Sequence, residues 1–262
     1  MDVVAIVALG RHSDQEAPLL AADLGLTTYE TGVMLRAPTP IIVYRSEDRA
    51  RTADLASKLR ARGHDAVACD LDSVVSSDDM FRPKTFQFEG SELVGHGNGE
   101  QRRVALADVF ALVRATHQVQ SVDTTTTHEK TRSLSRAFAT GGLVTTKTVE
   151  RESQRVTNER EPVLYLFRGD GDPWLLGAQS LRYGGLAGEM KVSKAENFEV
   201  LIRLLRSLAP QATYDARLLQ VRVGTQIISS GSKHMTSSSA GAVDILAHIV
   251  ATALNRAVRP YR

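Results

Sequence analysis

Apolar positions recur with two different periods along this chain, and the change between them divides it. Through the first seventy residues, short apolar runs alternate with stretches of helical period. The β-branched run Asp2 to Leu9 predicts a buried strand, and Ser13 and Asp14 offer caps to a helix carrying Leu19, Leu20 and Leu24 that ends at Gly25. TTYE, Thr27 to Glu30, fits a capping box that starts a second helix through Leu35, which Pro38 and Pro40 stop. TPIIVYRS then predicts a strand. Ser46 caps a helix bearing Ala53, Leu55, Ala56 and Leu59, and Gly63 ends it before the strand HDAVACDL.

That order, strand, helix pair, strand, helix, strand, resembles a ferredoxin-like or related split βαβ unit spanning 1–78, and such units serve as regulatory or docking modules. Gly10-Arg11-His12 lacks the glycine spacing and Lys-Ser/Thr ending of a phosphate loop, so it is a strand-to-helix turn. SVVSSDDM, Ser73 to Met80, marks a linker or domain edge.

Beyond Met80 the period becomes two. KTFQFEG places Phe86 and Phe88 on one face, ELVGHGNGEQRRVAL predicts a hairpin turning at HGNG, and ADVFALVRATHQVQS continues as a long alternating segment. EPVLYLFRGDGDPWLLG repeats the hairpin pattern with GDGDP at its tip, followed by AQSLRY. Ser193 to Pro210, SKAENFEVLIRLLRSLAP, then opens with a second capping box and carries Phe198, Leu201, Ile202, Leu205 and Leu208 on one face, as a lid on a sheet would. Phrases such as RVALADVFALVR, with that closing helix, resemble a pleckstrin-homology-like barrel, including its bacterial versions, over residues 79–228. The fold expected is therefore α+β: an N-terminal βαβαβ module, an antiparallel PH-like barrel closed by an amphipathic helix, and a linker with a C-terminal helix.

Two segments depart from that plan. Ser121 to Glu159 is far longer than an ordinary connection, so an insertion at 121–160 is expected as a long hairpin, a structured element or a mobile loop, with a short helix around SLSRAFATGG ending at Gly141. Over 229–262, ISSGSKHMTSSSAG predicts a Ser/Gly linker, and AVDILAHIVATALNRAV a helix with Val243, Leu246, Ile249, Val250, Ala253 and Leu254 on one side. That stripe needs cover, either from its own chain or from a second copy in a homodimer. A membrane surface is the sharper alternative, but only Arg256 and Arg259 flank the helix.

Composition changes the picture little. The 32 Lys and Arg against 30 Asp and Glu give a net charge of +2, which does not call for nucleic acid. Residues 1–120 carry 13 basic and 17 acidic side chains and 121–262 carry 19 and 13, so the halves stand at −4 and +6. A single cysteine, Cys69, excludes an intramolecular disulfide and a cysteine zinc cluster, and its strand context makes it a small buried hydrophobe. MDVVAIVALG lacks the basic leader of a signal peptide and no apolar run approaches a membrane span, so a cytoplasmic protein is expected.

Candidate chemistry is sparse. The seven histidines show no metal-binding spacing, and no nucleophile, metal-ligand set or cofactor motif stands out, so catalytic, metal and cofactor residues are none. DGD before Pro173 lacks the later acidic ligand of a calcium loop, RGD at Arg168 to Asp170 is a hairpin tip, and Trp174 is a packing residue. One anion nest is conceivable: Thr140, Gly141 and Gly142 with Arg132, Arg136 and Lys147 around them, although a helix stop followed by a turn accounts for the same glycines. Three functions follow in order: an intracellular adaptor or regulator that binds another protein without catalysis, a binder of a nucleotide or lipid headgroup through the basic insertion, or an enzyme whose Asp, Glu and His meet only in three dimensions. A flat apolar patch would favour the first and a basic concavity the second. A concave site gathering His117, His128 and distant carboxylates would favour the third.

Overall fold

The computed structural model describes the backbone of residues 1–132, 146–230 and 234–258, and the side chains of these outside 123–154, 229–235 and 258. Strand β1 (Asp2–Ala8) organises the N-terminal module, because its alternation feeds two cores at once. Val4 and Ile6 join Ala17, Leu20, Leu35, Leu55, Ala56 and Leu59 from helices α1 (Ser13–Leu24), α2 (Thr28–Leu35) and α3 (Arg49–Ala61). Val3, Ala5 and Val7 point the other way, into a core shared with residues far along the chain. β1 lies between β2 (Ile41–Ser46) and β3 (Asp65–Asp70), antiparallel to both, so β2-α3-β3 is a split βαβ crossover with β1 inserted. The expected N-terminal βαβαβ module is thus present.

Its local signals act as predicted, with small shifts. Thr27 and Glu30 form the reciprocal capping box of α2, and Gly25 takes the left-handed conformation after α1. The cap of α1 is His12, ahead of Ser13 and Asp14, and the cap of α3 is Asp48, with Ser46 accepting from its amide. A methyl group at Gly10 would overlap the Gly63 carbonyl, so the two loops pass within backbone contact. The Gly10 amide donates to His64 Nδ1 at 3.1 Å, which leaves Nε2 as the protonated nitrogen 2.9 Å from Oε2 of buried Glu16. Arg62 reaches Glu16 at 2.7 Å and Asp23 at 2.8 Å; the contacts at Glu16 are close but bent, so charge more than directed hydrogen bonding holds them.

Strands β4 (Thr85–Glu89), β5 (Glu92–Gly97) and β6 (Glu100–Ala105) form an antiparallel meander, with Asn98 and Gly99 both at positive φ in the tight turn expected at HGNG. β7 (Val109–Arg132) and β8 (Thr146–Arg168) are long neighbours, and β9 (Trp174–Gly177) pairs with β8 across the GDGDP tip. Helix α4 (Lys194–Leu208) has the predicted Ser193/Glu196 capping box and buries Phe198, Leu201, Ile202 and Leu205 with Leu112, Leu164, Leu166 and Leu176. β10 (Thr213–Asp215) runs parallel to β7.

Two expectations change here. Among the described residues the strands form separate sheets, in orders β2-β1-β3, β4-β5-β6 and β11-β12-β7-β8-β9, and none closes into a barrel. The largest grows by adding strands to β7 instead of curling back. The Ser/Gly segment expected as a linker supplies two of those strands, β11 (Gln226–Ser230) and β12 (His234–Ser238), because β7 offers an edge on which Ser and Thr pair well. The insertion is, where described, the arms of β7 and β8; the helix expected around SLSRAFATGG lies outside the described residues.

The C-terminal helix α5 (Ala240–Val258) is present, and its stripe is covered by its own chain. Val243, Leu246, Ile249, Val250 and Ala253 lie in the core with Val3, Ala5, Val67, Cys69, Ala111 and Val163. Arg256 donates to the Ala66 carbonyl at 2.7 Å and pairs with Asp65. Of the covers expected for this stripe, its own chain is the one seen. No helix among the described residues is long and apolar enough to cross a membrane.

The chain divides into two compact units. One comprises 1–117, 161–224 and 240–262. The other comprises 118–160 and 225–239, an extended sheet in which Gln118 and Ser239 exchange bonds of 2.9 Å. Its end strand β11 is kinked by an irregularity between Ile227 and Ser229 and carries exposed Ile227 and Ile228.

Candidate functional site

Two features of the larger unit bring chemistry together, one inside and one on the surface. The inner one joins three residues far apart in sequence. The Tyr165 hydroxyl on β8 donates to Asp244 Oδ1 on α5 at 2.6 Å, and His117 Nε2 on β7 lies 2.7 Å from the Tyr165 oxygen. Since that hydroxyl proton goes to Asp244, His117 is the donor to its oxygen. Asp244 Oδ2 accepts from the Ser77 amide at 2.8 Å. One turn on, His248 Nδ1 donates to the Asp244 carbonyl at 2.9 Å while Nε2 accepts from the Val75 amide at 3.3 Å, which fixes a neutral imidazole.

Burial governs how these groups titrate. It lowers the affinity of His117 for a proton, with the nearby Asp244 charge opposing, and lowers that of His248 against its bond to the Asp244 backbone. Burial, then Asp244, pushes the Tyr165 phenol well above its ordinary range. A phenol so held is neither a base nor a nucleophile at neutral pH. Asp244 accepts two good bonds, His117 is 7% exposed, and the cluster ties β7, β8, α5 and the 74–77 segment together. It is a polar bolt through the core.

A pH prediction follows. A histidine with a depressed folded pKa takes up its proton more readily in the unfolded chain, so folding loses stability as pH falls below the unfolded value of about 6.5 and stops losing it below the folded pKa. Denaturant melts between pH 8 and pH 5 should show stability falling as pH drops below about 6.5, by at most about 1.4 kcal/mol per pH unit for each of the two histidines. His248→Gln should make that fall shallower. An unchanged slope would mean that the imidazole is not held neutral.

The surface feature is an open groove of about 500 Å³ beside α4. The half-buried Tyr214 ring faces it, the core residues Val200 and Ile202 lie beneath it almost fully covered, and Lys191, Arg203, Arg206, Glu196 and Glu199 form its charged rim. The helical period explains the arrangement: the face of α4 opposite Leu201 and Leu205 is polar, and β10 brings Tyr214 alongside. Most of the charges are engaged. Glu196 caps Ser193, Glu199 pairs with Arg114, and Arg203 pairs with Glu189 at 3.0 Å. Lys191 acts on the Glu196 carboxylate through its charge, whereas Arg206 lies over the Tyr214 ring at 4.6 Å and has no carboxylate partner among the described residues. The groove is thus neither a flat apolar patch nor a purely basic concavity, but a mixed charged rim around the Tyr214 ring on which Arg206 lies.

The residues singled out in the sequence lie elsewhere. Arg132 and Lys147 are on β7 and β8 with side chains outside the described set, and Arg136, Thr140, Gly141 and Gly142 fall outside the described residues altogether, as does the side chain of His128. His117 does meet a distant carboxylate, though in the core. Cys69 is buried and its thiol pushed up by burial, and Trp174 is packed at 1% exposure, both as expected. Among the described residues no group of His, Cys, Asp and Glu is arranged to hold a metal ion. The groove itself escaped the sequence reading; its only signal there was the charged face of the Ser193 helix. Compared with protein-family models, curated proteins and solved structures, the chain matches none.

Proposed function

We propose that this chain is a non-enzymatic cytoplasmic adaptor or regulator that works by binding another protein through the groove beside α4. The observation that carries the reading is the exposed guanidinium of Arg206, without a carboxylate partner among the described residues, lying over the half-buried Tyr214 ring at the groove. Apolar surface left open beside a charge gains from being covered by a ligand that brings both apolar area and an anion. A peptide segment with one or two large apolar side chains next to a carboxylate has that chemistry. Selection from a displayed random-peptide library on the intact protein tests it. Enrichment of acidic, apolar sequences, lost in Arg206→Glu, is the expected result. No enrichment, or enrichment indifferent to that substitution, would remove the groove as the docking site.

A further inference from the structure

The chemistry that the groove selects is displayed on the chain's own surface. Helix α2 buries Thr31, Gly32 and Leu35 toward the module's core and turns the opposite side outward. On that side Leu26, just before the helix, Tyr29 and Val33 follow at i, i+3 and i+7, and they are 40%, 79% and 52% exposed. Three large apolar side chains in one stripe differ from the single exposed ones any surface carries. Glu30 stands beside them, its carboxylate kept ionised by the backbone and hydroxyl bonds of Thr27. The only basic residue of this short hairpin, Arg36, faces Asp14 at 3.7 Å. The stripe thus offers apolar area with a negative charge, where the groove offers the half-buried Tyr214 ring with the guanidinium of Arg206 upon it.

From this complementarity, and resting on the reading of the groove as a docking site, we infer that α2 of one copy seats its Leu26–Tyr29–Val33 face in the α4 groove of a second copy. Stripe and groove are different patches of one chain, so the contact is head-to-tail, and each protomer keeps one unused half of it. The interface is small, with one two-turn helix against one groove, which places it among weak, concentration-dependent contacts. Such a contact would compete with any outside peptide for the same guanidinium.

Sedimentation velocity on the full chain over a concentration series tests it. Wild type should gain mass with concentration. Tyr29→Glu and Arg206→Glu, both at exposed positions, should each weaken association at least tenfold; Arg206→Glu also gives up the Tyr214 contact and puts an acid in the last turn of α4, so melting curves must show both variants folded at the assay temperature. An equimolar mixture of the two variants should recover a dimer and go no further, because one brings an intact groove and the other an intact stripe. Wild type that stays monomeric, association indifferent to either variant, or a mixture that fails to pair would each overturn the inference. A monomeric wild type that still selects acidic, apolar peptides would sink the self-contact alone and leave the groove's role standing.

Discussion

Trp174→Ala is expected to cost about 3–5 kcal/mol, the largest loss available from a single side chain in this fold. The indole is 1% exposed, edge-on to Phe81 at a centroid distance of 4.7 Å, and it sits over Gly95, where an added Cβ would come 2.7 Å from its ring. Phe81 is held in turn by its carbonyl, which accepts from the Leu175 amide at 3.0 Å. Removing the indole therefore leaves a cavity that neither the glycine nor the fixed Phe81 can fill, so the site cannot collapse. Denaturation followed by circular dichroism gives the loss, and Trp174→Phe should recover part of it. A cost below about 1 kcal/mol for the alanine variant would show that the meander and β9 do not share a rigid core.

The second large effect is expected at Asp244. Asp244→Ala strands the Tyr165 hydroxyl and the Ser77 amide in the core, at about 1–3 kcal/mol for each unsatisfied donor. Adding Tyr165→Phe removes one of those donors, so the double variant should be less damaged than the two single losses summed. The coupling, in the range of about 0.5–3 kcal/mol, is what a double-mutant cycle reads. Additivity would mean that the hydroxyl and the carboxylate do not meet.

These two sites differ in how far the sequence announces them. Trp174 follows a turn signal within an apolar run, so its burial could be read locally. The Asp244 cluster could not, since Tyr165 is 79 residues from Asp244 and 48 from His117, and no spacing rule spans such distances. The same division holds for the fold. Capping boxes at Thr27 and Ser193 and the Asn98-Gly99 turn are satisfied by neighbours in sequence, and they stand where expected. The strands β11 and β12 are Ser- and Thr-rich and gain their structure from pairing, β12 on the edge of β7 and β11 on β12, so composition alone suggests a linker. Closure of a barrel likewise depends on which distant edges meet, and local alternation is silent on that. The groove combines the solvated side of one helix with a tyrosine from a later strand, and each half is unremarkable alone.

The odd-numbered face of β1 finds its cover mainly in α5, which begins at Ala240. A ribosome adding roughly 5–20 residues per second would have finished β1 about 10–50 s before that helix exists. Until then Val3, Ala5 and Val7 lack the part of their cover that α5 supplies, so the growing chain carries apolar surface that the finished fold hides.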